Sequence, residues 1–271
     1  MRTKTLSMVL LSVLGLSAVA QAADSPQTSV QFGAQSFRWR EFGDTGERLL
    51  EENGARFSIG AAFDNFRREG SGVLYSVNGK IYLGSVDYDG QTQSGTPATT
   101  DVSYFGLNIE AQGGYRFGQR IGLDVFGALG IDEWLRSIRD GRTTTGSVAY
   151  GYDEYYTILY GKAGLGFFQM LNGWRYMLQG GVKMPLYTSE FVDLGDGVDL
   201  QPGRKPSAFA NLQFDFGSGR QDRFGVALYY DSYRFSKSDP EWLTYGGSTV
   251  LVVQPRSHMD VYGLRLSYYF F

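Results

Sequence analysis

Apolar and polar residues alternate with a period of two along most of this chain. From Ile121 to Ile131 every second residue is apolar or glycine, while Asp124 and Asp132 have the opposite parity. A β-strand projects successive side chains to opposite faces, so this period indicates strands with one apolar and one polar face. The pattern recurs in ten segments, which are Ser29–Trp39, Ala55–Phe66, Val73–Tyr88, Val102–Phe117, Ile121–Arg136, Glu154–Met170, Trp174–Ser189, Ser207–Phe216, Phe224–Phe235 and Met259–Phe271.

The connections between these segments alternate in length. Nearly all the segments reach the ~9–11 residues that a tilted membrane strand requires. Short turns on one side and long loops on the other are typical of barrels in the outer membrane, whose short turns and termini lie in the periplasm. The sequence therefore predicts an all-β fold, a ten-stranded antiparallel transmembrane β-barrel, with an eight-stranded barrel as the alternative if two segments are loop. The short connections are 67–72, 118–120, 171–173 and 217–223, and the long ones are 42–54, 89–101, 137–153, 190–206 and 236–258.

The last segment resembles the closing strand of bacterial outer-membrane β-barrel proteins. In that family the terminal aromatic strand is the signal read by the barrel-assembly machinery, and the resemblance implies that this machinery is a partner here. The family usually places its terminal aromatic on the apolar series, whereas here Phe271 lies one residue beyond it. A second stretch, Gly79–Gly90, resembles a segment of poorly characterised proteobacterial outer-membrane barrels and implies no activity. The apolar series consists of Tyr262, Leu264, Leu266, Tyr268 and Phe270.

The N-terminus has the features of a secretory leader. Arg2 and Lys4 precede an apolar run, and Ala20-Gln21-Ala22 fits the small-x-small cleavage pattern. We expect a signal peptide over 1–22 and a barrel domain over 23–271. Removing the two basic residues would take the formal net charge from −3 to −5, which argues against a nucleic-acid partner.

Composition agrees with a membrane barrel. The chain has 19 Tyr, 19 Phe and 37 Gly but only 7 Pro, and no segment after the leader is apolar enough for a membrane helix. There is no cysteine, hence no disulfide framework. We expect a monomer without a cofactor, in contact with outer-membrane lipid and lipopolysaccharide.

Charged residues fall on the polar parity of the strands and are predicted to face the lumen. One interpretation is a packed lumen of paired ions, because buried charges need partners. The other is a narrow polar conduit, although about eight strands leave an interior just filled by side chains. The predicted lumen charges are Arg56, Asp64, Lys80, Glu110, Arg116, Asp124, Asp132, Lys162, Arg175, Lys183, Asp215, Asp231 and Arg265.

Catalytic and metal-binding patterns are weak. The single histidine, His258, shares a face with Asp260, which is similar to the His–Asp pair of omptin-like outer-membrane proteases, but a second acidic pair is missing. Ser257 has the opposite parity and would not reach the imidazole. The acidic loop Asp193–Asp199 does not match a calcium-loop spacing. We therefore predict no catalytic, cofactor or metal site.

Two loop regions have a marked charge. Basic residues near the outer strand ends, including Arg38, Arg40, Arg136 and Arg234, are candidates for contact with lipopolysaccharide phosphates. The first long loop is acidic, and Gly46–Glu52 is a candidate short helix.

The resulting hypothesis is an integral outer-membrane barrel that is not an enzyme and has a structural or surface-interaction role through its external loops. The alternative is a narrow channel for small polar solutes, and a third hypothesis is an outer-membrane hydrolase.

Overall fold

The chain folds into strands joined by turns. The computed structural model describes residues 26–66, 68–92, 95–218 and 221–270. The signal-peptide prediction lies outside them. The strands are β1 Gln27–Phe42, β2 Arg48–Asp64, β3 Gly72–Gln91, β4 Pro97–Gly118, β5 Ile121–Ile138, β6 Gly141–Thr143, β7 Val148–Ala149, β8 Asp153–Leu171, β9 Trp174–Asp193, β10 Val198–Leu200, β11 Gly203–Lys205, β12 Ser207–Ser218, β13 Gln221–Ser236, β14 Glu241–Tyr245, β15 Ser248–Val252 and β16 Arg256–Phe270.

Ten long strands form a closed antiparallel barrel. Their order is β1, β2, β3, β4, β5, β8, β9, β12, β13 and β16, and pairing of β16 with β1 closes the ring. The prediction of a ten-stranded barrel is confirmed, and the eight-stranded alternative is wrong. In the described ranges no helix has the length and apolarity needed to cross a membrane.

The two ends of the barrel differ. At the short-turn end, brief connections join β2 to β3, β4 to β5, β8 to β9 and β12 to β13, and both ends of the described chain lie there. At the long-loop end, β6 and β7 form a hairpin beside β4, β10 pairs with β9, β11 pairs with β13, and β14 and β15 form a separate two-stranded sheet.

The strands extend further toward the long-loop end than the sequence pattern predicted. β2 begins at Arg48, so the candidate helix over Gly46–Glu52 is wrong. The strand continues because β1 pairs with it up to Phe42, with Arg40 opposite Glu51. Pairing with a neighbouring strand therefore decides the conformation of this charged stretch.

The faces of the barrel follow the predicted parity. Outward positions carry apolar side chains, such as Phe57 at 60% exposure and Leu129 at 61%. On β16 the predicted apolar series through Phe270 is outward and exposed. Phe271 is outside the described residues, and the role of this strand as an assembly signal stays a prediction.

Inward glycines make room for tyrosine rings. A Cβ at Gly130 would lie 2.4 Å from Cζ of Tyr160, and one at Gly263 would lie 2.2 Å from Cζ of Tyr229. A close-packed interior has little free volume to absorb added atoms, so these glycines are needed for the rings to cross the bore.

We expect Gly130→Ala to lower the free energy of unfolding by about 1–3 kcal/mol, because its methyl group would overlap the Tyr160 ring. The matched control is Gly113→Ala on β4, since a Cβ there has no neighbour within 4 Å. Urea unfolding of the purified protein, followed by tryptophan fluorescence, measures both changes. Equal losses in the two variants would contradict the packing described.

Candidate functional site

The charged side chains predicted for the lumen all occupy inward strand positions. Ion pairs lie near the short-turn end and in the middle of the bore, and Arg56 lies among aromatic rings. The inward set is Arg56, Asp64, Lys80, Glu110, Arg116, Asp124, Asp132, Lys162, Arg175, Lys183, Asp215, Asp231 and Arg265.

Near the short-turn end, two buried arginine–aspartate pairs face the bore. Arg116 contacts Asp124 through two bonds, Nε to Oδ1 and Nη2 to Oδ2, each 2.8 Å long. Arg175 Nε lies 2.8 Å from Oδ2 of Asp215. Both arginines also donate to the carbonyl oxygen of Phe66. The turn from β2 to β3 is therefore held over the bore from two sides, which narrows this end.

A polar cavity of about 150 Å³ lies in the middle of the lumen. Lys162 Nζ is 2.7 Å from Glu110 and 3.7 Å from Asp231, and Lys183 Nζ is 2.9 Å from the same aspartate. Lys80 also lines the cavity. Because cations and carboxylates alternate around it, the cavity has no single sign of charge.

Toward the long-loop end the bore is filled by what we term the lumen plug, which consists of Trp39, Tyr104, Trp134, Tyr156 and Arg136. Each of these residues is at most 3% exposed. The Trp134 and Tyr156 rings stack with centroids 4.8 Å apart, and Trp39 meets Tyr156 edge-on at 5.8 Å. Large rings that lose all solvent contact leave no room for a continuous water path at this level.

Arg136 is the electrostatic centre of the plug. Its guanidinium lies 2.6 Å from Glu154 and 3.5 Å from Glu41, and its Nε is 3.0 Å from Glu52. Tyr104 donates to Glu52 at 2.5 Å. Arg136 thus pairs with three carboxylates from β1, β2 and β8, and these ion pairs connect the plug to those strands of the barrel wall.

Sequence reasoning missed this cluster. It placed Glu52 in an acidic loop and Arg136, the last residue of the fifth segment, among the basic residues near the rim. β2 begins at Arg48, so Glu52 lies on an inward strand position, and the Arg136 side chain is buried in the bore. The missing signal was parity: Arg136 follows Asp132 and Trp134 in steps of two, and Glu41 follows Trp39. Extending the alternation across charged residues would have found them.

The guanidinium group of Arg56 packs between aromatic rings. Its guanidinium carbon lies 4.0 Å from the Phe37 ring centroid and 4.6 Å from that of Tyr82, and Nη2 donates to Gln35 at 3.1 Å. Cation–π contacts of this kind stabilise a desolvated guanidinium. The Arg56 guanidinium carbon also lies 5.6 Å from the ring centroid of Tyr104, so Arg56 packs against the lumen plug.

His258 lies on the outward face of β16. Its ring packs on Phe42 with centroids 4.9 Å apart. The neighbouring Asp260 accepts hydrogen bonds from Arg40 at 3.0 Å, Arg234 at 2.5 Å and Tyr230 at 2.8 Å. The Asp260 carboxylate is therefore hydrogen-bonded to side chains of β1 and β13, and it is not oriented as the partner of a catalytic imidazole.

Ser257 is fully buried on the inward face, whereas His258 lies on the outward face, so Ser257 is not placed as a nucleophile for this imidazole. In the acidic loop, likewise, the described residues include no group of three or more His, Asp or Glu side chains that could hold a metal ion.

Comparison with solved structures shows the fold. The chain is similar to the outer membrane protease OmpT from Escherichia coli, with a TM-score of 0.51 and 10% identity over 92% of this chain and 99% of that one. The transport unit of the autotransporter AIDA-I from Escherichia coli gives a TM-score of 0.46 and 12% identity, covering 96% and 94%. The translocator domain of the autotransporter NalP from Neisseria meningitidis gives 0.37 and 9%, covering 89% and 88%.

No protein-family model matches the chain, and no curated protein does. At this level of identity the likeness to OmpT establishes a common barrel fold and nothing about chemistry. The chain has the fold of the outer-membrane β-barrel proteins.

We expect Arg136→Met to lower the free energy of unfolding by about 3–5 kcal/mol, because it leaves buried carboxylates without their cation. Arg139→Met is the matched control, since Arg139 is exposed three residues further along the chain. Chemical unfolding monitored by tryptophan fluorescence compares the two. If both variants lose the same stability, Arg136 is not the centre of the plug.

Proposed function

We propose that this chain is an outer-membrane barrel with a closed bore and no catalytic activity, which acts through the surface at its long-loop end. In this proposal the long-loop end is external and both termini lie in the periplasm, as in other barrels of this membrane. A ring of exposed apolar side chains around the outer wall supports insertion in lipid, because a soluble barrel would expose polar residues there.

The lumen plug is the observation that carries the proposal. Wide channels need about sixteen strands, and a barrel of about eight is just filled by side chains. Here the interior at the long-loop end is occupied by stacked rings and by Arg136 with its carboxylates. Such a layer favours a structural barrel over a pore.

The loop surface supports an interaction role. In the β14–β15 hairpin, Leu243 packs into a small cluster with Val192, Val198 and Leu200. This contact fixes the hairpin, while Trp242 remains 65% exposed. A fixed element that presents a large aromatic ring is suited to contact another component of the cell surface.

The mid-lumen cavity favours a second candidate, a narrow channel for small polar solutes. It is lined by both lysines and carboxylates, so it would accept solutes of either sign. Conduction would require the plug to move, since the cavity lies between the plug and the arginine–aspartate pairs of the short-turn end.

A hydrolase is the weakest of the three hypotheses. Ser257, the hydroxyl next to His258 in the sequence, faces the bore, and Asp260 is bonded to arginines. Acyl or peptide transfer of the serine–histidine type requires a base within reach of its nucleophile.

We expect no conductance above background from the wild-type protein in planar lipid bilayers. Replacing two plug rings, Trp134→Ala with Tyr156→Ala, should give discrete openings, because the bore is no longer filled. The control removes two exposed aromatic side chains from the loop hairpin, Trp242→Ala with Tyr245→Ala, and should remain closed. A shift in gel mobility on heating verifies that each variant is folded, and steady wild-type conductance would favour the channel.

We expect the wild-type protein and His258→Ala to show the same background cleavage of fluorogenic peptides and of phospholipids in micelles that contain lipopolysaccharide. The physical reason is that Ser257 faces away from the imidazole and that Asp260 is bonded to Arg40 and Arg234. Wild-type turnover that is lost in His258→Ala would overturn the non-catalytic assignment.

A further inference from the structure

Basic side chains converge on one sector of the outer wall, near the long-loop end. They come from β1, β11, β13 and β16, and the strand register brings them together: Arg40 and Arg234 both lie opposite His258, and Lys205 lies opposite Arg234. We term this group the wall patch, which consists of Arg38, Arg40, Lys205, Arg234 and Arg256.

One carboxylate organises the wall patch. Asp260, with a side chain only 3% exposed, contacts Arg40 at 3.0 Å and Arg234 at 2.5 Å. Arg38 lies 4.0 Å from the same carboxylate and keeps 40% of its side chain exposed. Asp260 is the one carboxylate among the described outward residues on the long-loop half of β1, β13 and β16, and Glu51 of β2 lies opposite Arg40, so the five cations of the patch face two carboxylates and keep a net positive charge.

The neighbouring sector of the wall, which begins at β2 beside β1, has the opposite charge. Outward positions at the same end of β2 to β5 carry carboxylates that are partly or fully exposed, namely Glu51, Asp87, Asp89, Asp101 and Glu133. Arg48, Arg139 and Arg142 are the cations near these carboxylates, so the larger group of basic side chains lies in the sector of the wall patch. A general attraction to an anionic surface would not require such segregation.

An apolar surface lies directly beside the wall patch, on the short-turn side. The rings of Tyr230 and Tyr262 pack with centroids 5.0 Å apart, next to Asp260. Beyond them, exposed Leu228, Leu264 and Leu266 continue the outward face of β13 and β16. A ligand that satisfies both surfaces has anionic groups at one end and hydrocarbon chains at the other.

We propose that the wall patch binds the phosphate groups of a phosphorylated, multiply acylated glycolipid, the lipid A part of lipopolysaccharide, whose acyl chains lie on the neighbouring apolar surface. Guanidinium groups bind phosphate oxygens in a bidentate fashion, and several can share one phosphate. The interaction rests on the proposed orientation, with the long-loop end in the outer leaflet, and deepens the proposed surface role.

The test compares the loss of three cations from the wall patch with the loss of three cations elsewhere on the barrel. The variant Arg38→Gln, Lys205→Gln and Arg256→Gln removes three cations and leaves the bonds from Arg40 and Arg234 to Asp260 intact. The control Arg120→Gln, Arg139→Gln and Arg142→Gln removes three cations that lie in or beside β4 to β6, away from the wall patch. Native mass spectrometry of the full chain in detergent, titrated with diphosphorylated lipid A, measures the fraction of protein that retains the lipid.

We expect the patch variant to bind lipid A at least tenfold more weakly than the wild type and the control, and lipid A without phosphates to bind the wild type as weakly. Equal binding by the patch variant and the control would overturn the proposal. Displacement by inorganic phosphate would identify a free-anion site and would also overturn it. Equal binding of phosphatidylglycerol would reject the glycolipid assignment. None of these outcomes depends on conductance, so failure here is distinct from failure of the closed-bore proposal.

Discussion

Closure of the sheet by β1 and β16 is the constraint on which the rest of the structure depends. In a hydrocarbon environment an unpaired strand edge is costly, and a closed barrel has none. The pairing runs from Thr28 opposite Phe270 to Phe42 opposite Arg256. A slip of one residue would turn Arg265 outward and Leu264 inward, so this register also fixes which side chains face the bore.

A closed ring of ten strands leaves a narrow interior, and the interior must then satisfy the charges that alternation places there. The result is layered: arginine–aspartate pairs near the short turns, a polar cavity in the middle and a ring-filled layer with Arg136 near the long loops. The arginines of the first and last layers are paired with buried carboxylates. The middle layer contains the polar cavity, which explains why both a packed interior and a conduit could be inferred from the same residues.

Strand positions and faces could be predicted from the sequence because a period of two is a local property. The contacts between side chains could not be predicted in the same way, because they depend on the register of strands that are far apart in the chain. Arg136 and Glu52 are separated by 84 residues, and although the parity of each points inward, nothing local identifies the two as partners. Asp260 shows the same limit: its neighbour His258 drew attention to catalysis, whereas its actual partners Arg40 and Arg234 come from other strands.

The carbonyl oxygen of Phe66 has a consequence for the order of assembly. It accepts hydrogen bonds from Arg116 and from Arg175, which lie 50 and 109 residues further along the chain. The turn from β2 to β3 can therefore form early as a hairpin, but it reaches its final position only when β9 has joined the sheet. In a barrel built strand by strand, the two hydrogen bonds to Phe66 would therefore form late, after most of the strands have paired.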